Sequence, residues 1–358
     1  MEVLKEMPPR NPINGTFELT VRCNLKCKMC LFRHDDSENA EIINNEKTAE
    51  EWIDMARQVA EAGTINLLIT GGEPMLRPDF CEIYEGIYKQ GFIITLYTNA
   101  TLVTPKIMET LKKYPPHRIG VTIYGASEET YEKVCGNEKA FESMLNGVER
   151  LIKLPSKLEF RTTIIKDNYN DIDNMEKLIK DRFGSEYTLT HSRIVMKPVR
   201  GGNSNVESCR LDPEDNIKLY LRRGIKKVES MVGKDKFDIN NIKVGIDESL
   251  STNTKKSITL FGCDSGMESY TISWDGKLLG CQMLENFYTE PFKDNFESAW
   301  NNYPYKVVDM PQLNKKCVEC ENSRLCACCC ASRYAETGDL GGCPEYICKD
   351  VKELVKLL

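Results

Sequence analysis

Between residues 17 and 200, short apolar runs alternate with longer segments in which apolar positions return every three or four residues. The runs are FELTVR, INLLIT, FIITLYT, RIGVTI, LEFRTTII and YTLTHSRIV. The first intervening segment starts with Thr48 and Glu51, the spacing of a capping box, and then repeats Trp52, Met55, Ala56, Val59 and Ala60 on one helical face. Similar periodicity fills 79–90, 104–114, 141–154 and 170–183. Six strand–helix units joined by right-handed crossovers predict an α/β fold whose parallel sheet curls into a partial (β/α)6 barrel of the TIM type. In such a barrel ligands sit at the C-terminal ends of the strands.

The pattern changes after VRGGNSNVES at 199–208. A helix is expected around 214–232, and short strands such as SYTISWDGKLLGCQML follow, with a turn at Asp275 and Gly276. The expected organisation is a barrel over 1–200, a bridging helical region over 201–254 and a smaller cysteine-rich domain over 255–358.

Length and charge narrow the function class. A chain of 358 residues is long enough for about two domains. Its formal charge of −6, from 48 Lys and Arg against 54 Asp and Glu, argues against a basic nucleic-acid or membrane-surface binder. No basic head precedes an apolar core at the N-terminus, and no apolar run is long enough to span a bilayer. The expectation is a soluble cytoplasmic protein with neither nucleic acid nor membrane as partner.

Sixteen cysteines in a chain without a secretion signal point to metal rather than disulfides. With only three histidines, His34, His117 and His191, the ligands must be mainly thiolates, which favours iron–sulfur clusters or zinc. Directly after the first run, CNLKCKMC places Cys23, Cys27 and Cys30 in one loop. Three thiolates on a [4Fe–4S] cluster leave one iron open to another ligand, whereas a zinc site would need His34 or a distant residue. The second run ends in TGGEP, where Gly71 and Gly72 allow close approach of backbone to a ligand and Glu73 offers a carboxylate beside Pro74. The third ends at Thr98 and Asn99, the fourth at Thr122 and Tyr124. All four features fall on one rim of the expected barrel.

These motifs resemble the radical S-adenosylmethionine (SAM) superfamily over roughly 15–200. The resemblance implies that Cys23, Cys27 and Cys30 hold a cluster whose open iron chelates SAM. It also implies that Gly71, Gly72 and Glu73 hold the methionine amine and that Asn99 and Thr122 contact the ribose region. Met29 stands where the family usually has an aromatic residue and is expected against the adenine. Arg161 is a candidate for the SAM carboxylate, which suits a guanidinium fork, or for a plain strand salt bridge. His191 and Tyr124 are the candidates for direct catalytic roles.

The later cysteines resemble the SPASM auxiliary-cluster domain of peptide-modifying radical SAM enzymes. The resemblance implies one [4Fe–4S] cluster on Cys263, Cys281 and Cys330 and another on Cys317, Cys320, Cys326 and Cys348, making three in all with that of the barrel. The former set has three ligands and is expected to keep an open iron unless Cys209, Cys328, Cys329 or Cys343 completes it. Within CACCC, Cys329 is an alternative to Cys330, and Cys343 is an alternative to Cys348. Gln282 follows Cys281 where sulfatase-maturing relatives carry an Asp base, which speaks against that activity.

The implied function is hydrogen abstraction from a ribosomally made peptide, giving a thioether, another crosslink or an epimer. A flavodoxin- or ferredoxin-type reductant is expected. The stretch before Cys23 is too short for a recognition module of roughly 80 residues, so a separate leader-recognition protein is a further expected partner. Modification of a tetrapyrrole or another small molecule is the alternative, because SRYAETGDL resembles segments of haem-pathway relatives. Sulfatase maturation, or a non-catalytic electron-transfer or zinc protein, stands behind these.

Overall fold

The computed structural model describes residues 8–232, 260–307, 315–323, 325–326 and 328–357. Six parallel strands follow one another in sequence order: β1 (Asn14–Glu18), β2 (Asn66–Thr70), β3 (Ile93–Thr98), β4 (Arg118–Thr122), β5 (Lys157–Thr163) and β6 (Leu189–Ser192). This is the expected partial barrel. The helix Ala49–Glu61 starts at Thr48 with both halves of the capping box formed, Glu51 N donating to Thr48 Oγ1 at 3.2 Å and Thr48 N to Glu51 Oε2 at 2.7 Å. Its buried face seats Trp52 against Phe17 of β1, with ring centroids 5.0 Å apart.

Of the elements that differ from the sequence pattern, two bear on the cysteine loop. A helix absent from the periodicity reading, Glu128–Cys135, is capped by Ser127 and ended by Gly136 in the left-handed region at φ 66°. The first strand is Asn14–Glu18 rather than 17–22, because Leu19 to Arg22 leave the regular ladder to carry the cysteine loop. They stay tied to the end of β2, where Leu19 N donates to Thr70 O at 3.0 Å, Gly72 N to Thr20 O at 2.8 Å and Glu73 N to Arg22 O at 2.9 Å.

The C-terminal strands belong to the same sheet. β7 (Ser269–Ile272) lies parallel to the free side of β1, and β8 (Leu278–Leu279) and β9 (Tyr288–Thr289) continue antiparallel. The β7–β8 turn uses Gly276 at φ 87°. Burying the otherwise open edge of β1 in this way satisfies its backbone groups and brings the cysteine-rich segments towards the barrel rim. The expected bridging helix is Pro213–Val232, whereas 233–254 lie outside the described residues. Among the described residues, no helix is long and apolar enough to cross a membrane.

Candidate active site

The C-terminal strand ends open onto a cavity of about 450 Å³. Cys23, Cys27 and Cys30 line it together with Met29, Gly71, Gly72, Thr122, Tyr124 and Arg161. The cysteine loop is docked on the C-terminal end of the Glu128–Cys135 helix, with Lys26 N donating to Cys135 O at 2.9 Å and Lys28 N to Val134 O at 3.0 Å. These bonds use carbonyls that a helix end leaves without intrahelical partners.

Burial raises the thiol pKa of Cys23, with the charges of Cys27 and Glu73 adding to it, and pushes Cys30 up to about 11. Cys27 is raised by a hydrogen bond with Cys135 and then by burial. Three crowded thiols, Cys27 buried and Cys23 and Cys30 partly so, resist ionising in one another's company, and a cationic iron core is the partner that compensates such a set. Cys135, on the buried face of the Glu128–Cys135 helix, also touches Cys27. Among the described residues, no three His, Cys, Asp or Glu side chains converge tightly enough for a single metal ion.

Gly71 and Gly72 are required by close approach. A Cβ on Gly71 would run into the Thr20 carbonyl, and one on Gly72 into the carbonyls of Val21 and Arg22. Glu73, Pro74, Thr98 and Asn99 do not line the cavity. All four are buried. The Glu73 carboxylate accepts from Thr98 Oγ1 at 2.9 Å, Asn99 N at 2.8 Å and Met75 N at 3.1 Å. Burial pushes this carboxyl up to about 7 against the pull of those donors. Asn99 Nδ2 then reaches Asn24 Oδ1 at 3.0 Å, linking the carboxylate to the cysteine loop.

Arg161 projects from β5 into the barrel and lies over the ring of Tyr97, 4.1 Å from its centroid. Gly120 on β4 leaves the room, because a Cβ there would strike Tyr97. Among the described residues Arg161 has no carboxylate partner, so the strand salt bridge expected as its alternative role is not formed. The one carboxylate among the cavity-lining residues, Asp36, is held by Lys26 at 2.5 Å.

Of the histidines, His34 lines the cavity with Nδ1 3.5 Å from Glu38, and His117 is exposed. His191 stands opposite Thr162 in the β5–β6 register and lines a smaller neighbouring pocket of about 250 Å³ rather than the main cavity. Of the two candidate catalytic residues, only Tyr124 is therefore at the cysteine loop.

The later thiols form two groups. Burial raises Cys281, and the charges of Cys329 and Cys263 add to it. Cys330 is pushed up to about 12 by burial, then by Cys329, Cys281 and Cys263. Cys329 thus stands with the three expected ligands of one cluster, and its thiol accepts from Ser332 N at 3.4 Å. The other spare thiols lie elsewhere: Cys209 is buried and donates to Val206 O at 3.3 Å, Cys328 adjoins Cys326, and Cys343 Sγ is 3.2 Å from Cys348 Sγ. In the second group, Cys317 adjoins Cys343, and Arg333 Nη1 donates to Cys317 Sγ at 3.1 Å. Arg333 lies within SRYAETGDL, but nothing in its spacing shows the contact with Cys317 before the loop is folded.

The family model of the Radical SAM superfamily matches residues 17–179. An AdoMet-dependent heme synthase of Methanosarcina barkeri is 31% identical over 336 residues, covering 90% of this chain and 92% of that protein. The antilisterial bacteriocin subtilosin biosynthesis protein AlbA of Bacillus subtilis is 21% identical over 334 residues, 89% of this chain and 67% of that protein. Streptococcus suis SuiB, in a crystal structure bound to the precursor peptide SuiA, superposes with a TM-score of 0.70 at 17% identity, over 97% of this chain and 78% of that one. The cysteine loop on the barrel rim, the glycine turn that receives it and the cysteine-rich extension of the sheet agree with these likenesses: the chain belongs to the radical SAM superfamily, as an enzyme of the SPASM type.

Proposed function

We propose that this enzyme removes hydrogen from a carboxylate-bearing tetrapyrrole. The observation that carries the reading is the similarity to the AdoMet-dependent heme synthase, which runs through 92% of that protein. The cavity wall supports it. Leu31, Phe32, Ile194, Val195, Met196 and Met283 supply apolar surface, while Arg33 supplies a guanidinium group at the same cavity. A flat apolar ring with acidic substituents is the ligand such a wall suits. Gln282 lines the cavity and has no titratable group, which disfavours a reaction needing a base at that position.

When bound, the cluster and SAM supply a 5′-deoxyadenosyl radical able to abstract an unactivated hydrogen. In this reading Cys23, Cys27 and Cys30 would hold that cluster, Gly71 and Gly72 would present backbone to SAM, Glu73 would fix the Asn99 backbone through its hydrogen bond, and Arg161 would pair the SAM carboxylate. Cys263, Cys281 and Cys330 hold one auxiliary cluster, and Cys317, Cys320, Cys326 and Cys348 the other. A peptide substrate is the second reading, supported by the likeness to the subtilosin biosynthesis protein.

The test is an anaerobic assay of reconstituted, reduced enzyme with SAM. A porphyrin with carboxylate side chains is expected to accelerate release of 5′-deoxyadenosine and to emerge with a lower mass. Release that ignores tetrapyrroles but rises with a peptide encoded beside this protein would replace the first reading by the second.

A further inference from the structure

Arg333 lies on the helix Cys330–Thr337 and is buried, with 7% of its surface exposed. Its Nη1 donates to Cys317 Sγ at 3.1 Å and to Gly342 O at 2.7 Å. Its charge also acts on Cys326 and Cys328. Among the described residues no carboxylate pairs with it, although other buried arginines of this chain have one: Arg77 has Asp79 at 2.7 Å, and Arg210 has Glu336. A buried guanidinium without an anion is costly, and the anions within its reach are the sulfurs of the second cysteine group. The group also fits a cluster by its chemistry: Cys343 sits beside both Cys317 and Cys348, and Cys326 beside Cys328, so soft donors surround one fixed cation.

A [4Fe–4S] core held by four thiolates is an anion that becomes more negative on reduction. A nearby fixed positive charge and an N–H bond to a ligand sulfur both stabilise the reduced form more than the oxidised form. We propose that Arg333 is a positioning residue that raises the reduction potential of the auxiliary cluster bound through Cys317, by the hydrogen bond from its Nη1 to that sulfur and by its charge. The step it biases is a one-electron reduction of that cluster, with the electron supplied by the external reductant. The inference rests on the reading that Cys317 is a cluster ligand.

The experiment is a redox titration of the reconstituted full chain followed by electron paramagnetic resonance, with iron and sulfide counted, on wild type, Arg333→Met, Arg333→Lys and Cys317→Ala. With Met, iron content is expected to hold while the reduced-to-oxidised ratio of one cluster falls about tenfold at the wild-type midpoint, a shift of about 59 mV downwards. With Lys the shift should be smaller, because the charge stays and the fork is lost. The signals of the other clusters should not move. If the Met variant loses that cluster, the Lys variant decides: a downward shift supports the proposal and an unmoved midpoint overturns it. Loss of the cluster in both variants also overturns it, leaving Arg333 an assembly residue. If Cys317→Ala keeps all the iron, the ligand reading falls and the proposal with it. If that variant loses a cluster while both Arg333 variants titrate like wild type, only the proposal falls.

Discussion

The guanidinium of Arg161 stacks on the ring of Tyr97 within the barrel, in the space that Gly120 leaves open. Stacking fixes the guanidinium plane while its N–H groups remain available to a bidentate anion. Arg161→Gln is expected to weaken SAM binding on the order of tenfold, as loss of a charged hydrogen-bond pair does. Calorimetric titration of the reconstituted enzyme would measure it. Unchanged SAM affinity with weakened substrate binding would assign Arg161 to the substrate instead.

Gly72 has no space for a side chain against the Val21 and Arg22 carbonyls. Gly72→Ala must therefore push the glycine turn away from the segment that leads into Cys23. The expected result is a protein destabilised by roughly 1–3 kcal/mol that holds less iron on the barrel cluster. Iron counting against a Gly224→Ala control, at a helical glycine with nothing within reach and an ordinary backbone, would show whether the effect is local.

Glu73 links stability to pH in the cluster-free protein. Its folded pKa of about 7 lies above the ordinary 4.5, so the folded state holds the proton more tightly than the unfolded state. Its contribution is fully present below about 4.5 and is lost as pH rises through about 7, a change on the order of 3 kcal/mol. Urea midpoints measured from pH 5 to 8 should fall with rising pH. Glu73→Gln should flatten that slope.

Glu18, buried at the end of β1, accepts from Arg200 Nη2 at 2.7 Å, and the same guanidinium lies 4.0 Å from the Phe32 ring centroid. Around it, Val199 N donates to Leu31 O at 3.0 Å and Asn203 N to Arg33 O at 2.9 Å, so this strap holds the exit of the cysteine loop. Glu18→Ala leaves a buried unpaired cation and is expected to cost about 3–5 kcal/mol. Adding Arg200→Met should recover part of that loss in chemical denaturation; a double variant no better than the single would show that the pair contributes little beyond shape.

Cys329 stands with Cys263, Cys281 and Cys330. If its thiolate completes that cluster, Cys329→Ala opens one iron, and the spectrum of that cluster should respond to added 2-mercaptoethanol while wild type does not. A wild-type cluster that already responds would mean that its iron is open in the native chain.

The barrel was legible because periodicity is local. Trp52, Met55, Ala56 and Val59 had to share a helical face, and the helix found is the one their spacing predicts. The short Glu128–Cys135 helix was missed because its apolar positions are few, although Ser127 and Gly136 are recognisable stops. The cysteine loop and the glycine turn were legible as chemistry, but their meeting was not, because Gly72 needs the Val21 and Arg22 carbonyls brought alongside it by β1–β2 pairing.

By itself, the sequence determined the strand–helix alternation, the three-thiol loop and the supply of later thiols, since each depends on residue type and short spacing. The tertiary structure decided that β7 would close the edge of β1, that Glu73 would turn inward to Thr98 and Asn99, and that Arg333 would reach Cys317. Those relations join residues far apart along the chain or on separate loops. They arise from burying edges and charges, and only the assembled fold states which partner each buried group receives.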